Sequence, residues 1–157
     1  MHTAVSKTSS SHKTILDIVG HSYEAILFNS PDDPLFPEIA GTSIFLSKAY
    51  HQALASAPPS KMQFRYVRLE RDAELVGMLC FQISFFNPGD SLKNQMDESL
   101  YNKVRYKIAS LINLKVLCLG NTLVTGDYGF CFLDDVPHKL QTILMMETID
   151  WLLTMKE

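Results

Sequence analysis

The chain has 157 residues, with 14 Lys and Arg against 17 Asp and Glu, a length that suits one domain with a substantial buried core. Hydrophobic residues make up 46% and charged residues 20%, which excludes the apolar-poor composition of a disordered chain. The formal net charge of -3, with no basic patch in the sequence, gives no electrostatic footprint for nucleic acid.

Residues 1–13 contain almost nothing to bury and are expected to form a disordered leader. They are rich in Ser and Thr and lack the apolar core of a signal peptide. Residues 14–157 are expected to form a single domain. Tyr23–Phe28 is an apolar run of strand length. It closes at Asn29-Ser30-Pro31-Asp32-Asp33-Pro34, where prolines and turn formers forbid regular structure. A helix is predicted to start at Thr42 or Ser43, either of which can cap it, and to stop at Pro58-Pro59. Its apolar face would carry Leu46, Tyr50 and Leu54, with Phe45, Ala49 and Ala53 beside them.

The best-defined feature is a hairpin. Apolar and basic residues alternate through most of Phe64–Leu69, as a half-exposed strand requires. Glu70–Glu74 is a charged turn, and Leu75–Phe86 is almost continuously apolar, which predicts a strand covered on both faces. Asn87-Pro88-Gly89-Asp90 breaks that strand. A second helix is predicted from Met96, with Met96, Leu100, Val104, Ile108 and Leu111 on one side and Lys103, Arg105 and Lys107 turned to solvent. A buried strand at Leu114–Leu119, a loop from Gly120 to Tyr128 and a strand at Tyr128–Leu133 follow. Pro137 suits the first turn of a last helix reaching about Met155. No apolar stretch approaches the roughly 20 residues of a membrane span. Cys80, Cys118 and Cys131 each lie in an apolar run without paired spacing, so a reducing, cytoplasmic setting is expected.

Gly120–Gly129 is the densest cluster of glycine and small polar residues. It is neither a Walker loop nor a dinucleotide fingerprint, because the lysine and the glycine spacing are wrong. The plain account is a loop joining two strands. The functional one is a substrate- or cofactor-facing loop at strand ends, with Asn121, Thr122, Thr125, Gly126, Asp127 and Tyr128 as candidate contacts. Asp134-Asp135 are expected to cap the last helix and offset its dipole; carboxylates there would also repel a phosphate. The histidines at 2, 12, 21, 51 and 138 have no metal-ligand spacing, so no metal is expected, and His51 is read as a surface or boundary residue. The last helix is apolar around most of its circumference from Ile143 to Leu153. That predicts core burial, or a surface for a second domain or for self-association.

Arg68–Leu79, with its acidic turn followed by Leu75-Val76-Gly77, resembles the second and third strands of GNAT acyltransferases. Phe45–Tyr50, the hairpin, and Gly120-Asn121 through Phe130 look more narrowly like bacterial GNAT-like or FemAB-like acyltransferases, over roughly Ser43 to Phe132. The resemblance implies an α/β (mixed α+β) fold with a mixed, largely antiparallel sheet flanked by helices. It also implies an acyl-CoA donor such as acetyl-CoA, and a small-molecule or peptide amine as acceptor. The family's basic, glycine-rich pyrophosphate turn is missing: its place, Gly126–Lys139, offers Asp127, Asp134 and Asp135. FemAB-like proteins contain two such domains, so the chain is expected to correspond to an N-terminal half. The alternative is a degenerate, non-catalytic binding or interaction domain without its own CoA site. No residue is assigned as general base.

Overall fold

Tight turns and period-two burial gather the six described strands into one sheet. The computed structural model describes residues 12–39, 41–59, 62–89, 100–122 and 129–155. Strand β1 (His12–Ile18) turns back at Val19-Gly20 into β2 (His21–Phe28). Both turn residues have positive φ, 50° and 77°, the left-handed pair that matches the twist of a two-residue hairpin. In β1 Leu16 and Ile18 are buried while Lys13, Ile15 and Asp17 are exposed. His12 and Lys13, the last two residues of the expected leader, therefore belong to a strand.

The hairpin predicted at the centre is there and tighter than expected. Strand β3 (Met62–Arg71) and β4 (Glu74–Phe86) meet through Asp72-Ala73 alone, at φ 54° and 65°. A register shift at Leu69/Glu70 precedes the turn. The middle of β4 is buried on both faces.

The outer edge of β4 is shared by two short strands laid end to end. Strand β5 (Leu114–Leu119) pairs with Phe81–Phe86, and β6 (Phe130–Phe132) pairs with Gly77–Leu79. The order is β1-β2-β3-β4-β5, with β6 beside β4, and every described pairing is antiparallel. Gly77 is where β6 needs room. A Cβ there would meet Phe132 Cδ1 at 2.6 Å and the Cys131 carbonyl at 2.7 Å, so only glycine fits.

One sheet face packs on helix α3 (His138–Thr154). Leu16, Ile18, Ala25, Leu27, Val67, Leu69, Leu79 and Phe81 surround Leu144, which is fully buried. The opposite face is covered by the loop after β2, a 3-10 turn at Ile44–Leu46 and helix α1 (Lys48–Ser56). There Phe36 and Leu46 pack on Phe28, Tyr66, Met78 and Cys80. The fold is thus mixed α/β, an antiparallel sheet with helices on both faces.

Four expectations need correction. The first helix is divided: Ser43 caps the 3-10 turn and Ser47, with extended backbone, caps α1 through Tyr50 N at 3.3 Å. Its buried residue is His51, whereas Ala49 and Ala53 are exposed. Strand β5 has the predicted bounds but is not buried; as the edge strand it leaves Leu114 and Val116 exposed. Helix α2 (Leu100–Ser110) likewise exposes Val104 and Ile108, while Met96 lies outside the described residues. Asp134 and Asp135 do not cap α3. They sit in a turn closed by Val136 N donating to Leu133 O at 3.1 Å, and Pro137 holds the N-cap position without a side-chain hydrogen bond.

Among the described residues no helix is long and apolar enough to cross a membrane.

Candidate functional site

The loop singled out in sequence leaves and re-enters the β4 edge at two glycines. Gly120 N donates to Cys80 O at 2.8 Å, and Cys80 N donates to Gly129 O at 2.7 Å. The two glycines touch: a Cβ on Gly129 would lie 2.7 Å from Gly120 N and 2.8 Å from its Cα. Gly120 also has φ 110°, which side chains rarely tolerate. One residue of β4 therefore holds both ends of the excursion. Thr125, Gly126, Asp127 and Tyr128 lie outside the described residues; Asn121 and Thr122 are placed.

Those two are fastened to the α1 face of the sheet. Gln82, fully buried, uses Oε1 to accept from Thr122 N at 2.9 Å and Thr122 Oγ1 at 2.5 Å. Asn121 Nδ2 donates to Tyr50 Oη at 2.7 Å, which links the loop to α1. Sequence reasoning missed Gln82 and Tyr50 as partners of the loop. The available signal was Gln82 itself, the single strongly polar side chain near the middle of an apolar strand.

Beneath α1 lies an aromatic cluster around His51. Its ring sits 5.1 Å from Tyr66, 5.6 Å from Phe36 and 5.6 Å from Tyr50, centroid to centroid. His51 is 3% exposed, which corrects its reading as a surface or boundary residue. Nδ1 lies 3.3 Å from Tyr66 Oη, and Nε2 has no hydrogen-bond partner among the described residues. Burial lowers the imidazole pKa from its ordinary 6.5 to about 4, against a smaller opposing pull from the Phe45 backbone. At neutral pH His51 is uncharged, far from the poise of a general base.

The neighbouring groups are held uncharged as well, in their case by keeping the proton. Burial raises the Tyr66 phenol and the Cys80 thiol well above their ordinary values, and pushes the Cys131 thiol up to about 11. A thiol in that state is a poor nucleophile. All three cysteines are free. The described residues contain no cluster of His, Cys, Asp and Glu able to hold a metal ion. Asp134 and Asp135 lead into the N-terminus of α3 and would repel a phosphate there.

Two cavities lie away from this cluster. One of about 290 Å³ opens between the sheet and the C-terminal end of α3, lined by Leu27, Arg65, Ile83, Lys115, Leu117, Leu152, Leu153 and Met155. One of about 140 Å³ lies beside the β3–β4 turn and the start of α3, with Arg71, Asp72, Glu74 and Asp135 among its lining residues.

No family model, curated protein or solved structure matches the chain.

Proposed function

We propose that the chain is a GNAT-like domain of an acyltransferase, taking an acyl group from acyl-CoA to an amine. One observation carries the reading. The loop 120–129 is held at both ends by Cys80 and tied at Thr122 and Asn121 to Gln82 and Tyr50. A rigid sheet presenting a fixed-ended loop of small polar residues is a common way to build a ligand contact. The central hairpin that supports it carries the Leu75-Val76-Gly77 run of the family resemblance.

In this chemistry the acceptor nitrogen attacks the thioester carbonyl. A base takes the amine proton and a donor supports the oxyanion. Asn121 Nδ2 and the Thr122 hydroxyl are committed to Tyr50 and Gln82, so their role is to hold the loop. No residue is assigned as that base; Asp127 and Tyr128, candidates for ligand contact by their place in the loop, lie outside the described residues.

A second reading is a binding domain that keeps the fold and lacks its own CoA site. It is favoured by the raised thiol pKa values, the neutral buried His51 and the acidic approach to α3. A thermal-shift titration with acetyl-CoA separates the two. At a hundredfold excess over Kd, binding adds about 2.7 kcal/mol, or roughly 5–10 °C for a chain of this size. No shift at about 1 mM acetyl-CoA would leave the binding-domain reading in its place.

A further inference from the structure

Helix α2 turns its apolar side to solvent. At about 100° per residue, Asn102, Tyr106, Ala109 and Ser110 share one side, and Val104 and Ile108 share the other with Leu111. Leu111 follows the helix in a turn where its N donates to Ile108 O at 3.2 Å. The first side faces the protein. Its four residues are partly covered, Asn87 Nδ2 donates to Ser110 O at 3.1 Å, and a Cβ on Gly89 would meet Ser110 Cα at 2.8 Å. The second side faces outward, with Val104 57%, Ile108 59% and Leu111 80% exposed. A helix that serves the fold alone buries such a stripe and leaves its polar residues outside. Here the order is reversed.

The exposure continues beyond the helix. Ile112, Leu114 and Val116 carry it into β5, and Phe85 and Phe86 stand in register beside that strand. Eight of the thirteen large apolar residues exposed among the described residues thus fall between Phe85 and Val116. Single exposed apolar residues need no account, but a concentration marks an interaction surface. Its charge has one sign. Residues 100–114 hold the basic Lys103, Arg105 and Lys107 and no acidic residue, in a chain of net charge -3. Arg105 and Lys107 flank the stripe, exposed and without an ion pair among the described residues.

Charge and shape choose the occupant. A second copy would set Arg105 and Lys107 against their own like charges. The stripe is also a ridge: neither cavity described above is lined by a residue of α2, so no pocket there receives a partner's anchoring side chain. An anionic bilayer accepts a ridge. Apolar side chains enter the acyl boundary while flanking cations meet lipid phosphates, the pattern of a basic amphipathic helix lying in a membrane interface. We propose that α2, with the adjoining start of β5, docks the chain on an anionic membrane surface. The docking is peripheral, since no described helix is long and apolar enough to cross. The inference does not rest on the acyltransferase reading.

Flotation of the whole chain with phosphatidylcholine vesicles, with and without phosphatidylserine, tests it. Anionic vesicles should bind at least about tenfold more tightly than neutral ones at about 0.1 M salt, and lose most of that advantage at about 1 M. Ile108→Asp should weaken binding to anionic vesicles by about tenfold or more, and Lys107→Gln by about fivefold. Ile15→Asp, at an equally exposed apolar position on β1 at the far end of the sheet order, should bind as the parent does. All three side chains are exposed, so far-ultraviolet circular dichroism should stay that of the parent.

Equal binding to neutral and anionic vesicles, or none to either at about 1 mM lipid, would overturn the proposal. Equal losses in Ile15→Asp and Ile108→Asp would do the same, by reducing the effect to overall charge. A dimer in light scattering that Ile108→Asp dissociates, without vesicle binding by the parent, would also refute it and give the ridge to a second copy.

Discussion

The two faces of the sheet are built on different principles. Under α3 the packing is mainly aliphatic: Leu16, Ala25, Leu27, Val67, Leu69 and Leu79 close around Leu144 beside Tyr23 and Phe81, and the buried Thr148 hydroxyl donates within the helix to Leu144 O at 2.7 Å. Under α1 the same strands turn aromatic and polar side chains inward, namely Phe28, Tyr66, Cys80 and Gln82, against Phe36 and His51. Buried polar groups cost stability unless each finds a partner. Gln82 meets that cost by holding Thr122, whereas His51 leaves Nε2 without one among the described residues. The α3 face is where the fold draws its stability, and the α1 face is where it departs from the simplest packing, beside the candidate loop.

If that contrast holds, the largest loss comes from the α3 face. Leu144→Ala should destabilise the domain by about 2–5 kcal/mol, since it empties a fully buried position in the aliphatic core. Urea denaturation reads it, and a change below about 1 kcal/mol would mean that α3 is not the main lid on the sheet.

The α1 face should respond to pH instead. The His51 pKa is depressed from 6.5 to about 4 in the fold, so the unfolded chain takes up a proton first. Stability from this group is complete above about pH 6.5 and is lost as pH falls towards 4, by up to about 3 kcal/mol. In His51→Phe that step should vanish from the pH profile of stability. A parent profile identical to that of the variant between those limits would contradict the buried neutral histidine.

Smaller effects sharpen the local picture. Gln82→Leu removes the acceptor of Thr122 and should cost about 1–2 kcal/mol, with amide exchange accelerated at Thr122 more than at Leu144. Uniform acceleration would place Gln82 in the general core rather than in the loop. Ala73→Gly should stabilise by roughly 0.5–1 kcal/mol, because Ala73 has φ 65° in a two-residue turn that favours glycine.

The same contrast governs what was legible in the sequence. The β3–β4 hairpin could be read because alternation and a long apolar run are local signals. The bounds of β5 could be read too, but not its exposure, since being an edge strand depends on the arrangement of the whole sheet. Strand β1 was hidden because only Leu16 and Ile18 of its residues are buried, beside a leader of similar polarity. On α1, Ala49 and Ala53 imitated a core stripe while His51 occupied the buried position; hydrophobicity alone ranks those residues the wrong way. The small-residue loop singles out Asn121 and Thr122 as candidates. Their partners Gln82 and Tyr50 lie 40 and 71 residues away in sequence, and nothing local announces such a bond.

The most direct test of the proposed function is a residue-resolved map of acetyl-CoA binding by amide NMR. Saturable shifts centred on Gly120, Asn121, Thr122 and Gly129, with Gln82 and Tyr50 following, are the expected result. Shifts confined to the Arg65 and Lys115 cavity, or no shifts at about 1 mM acetyl-CoA, would contradict an acyl-CoA site at this loop.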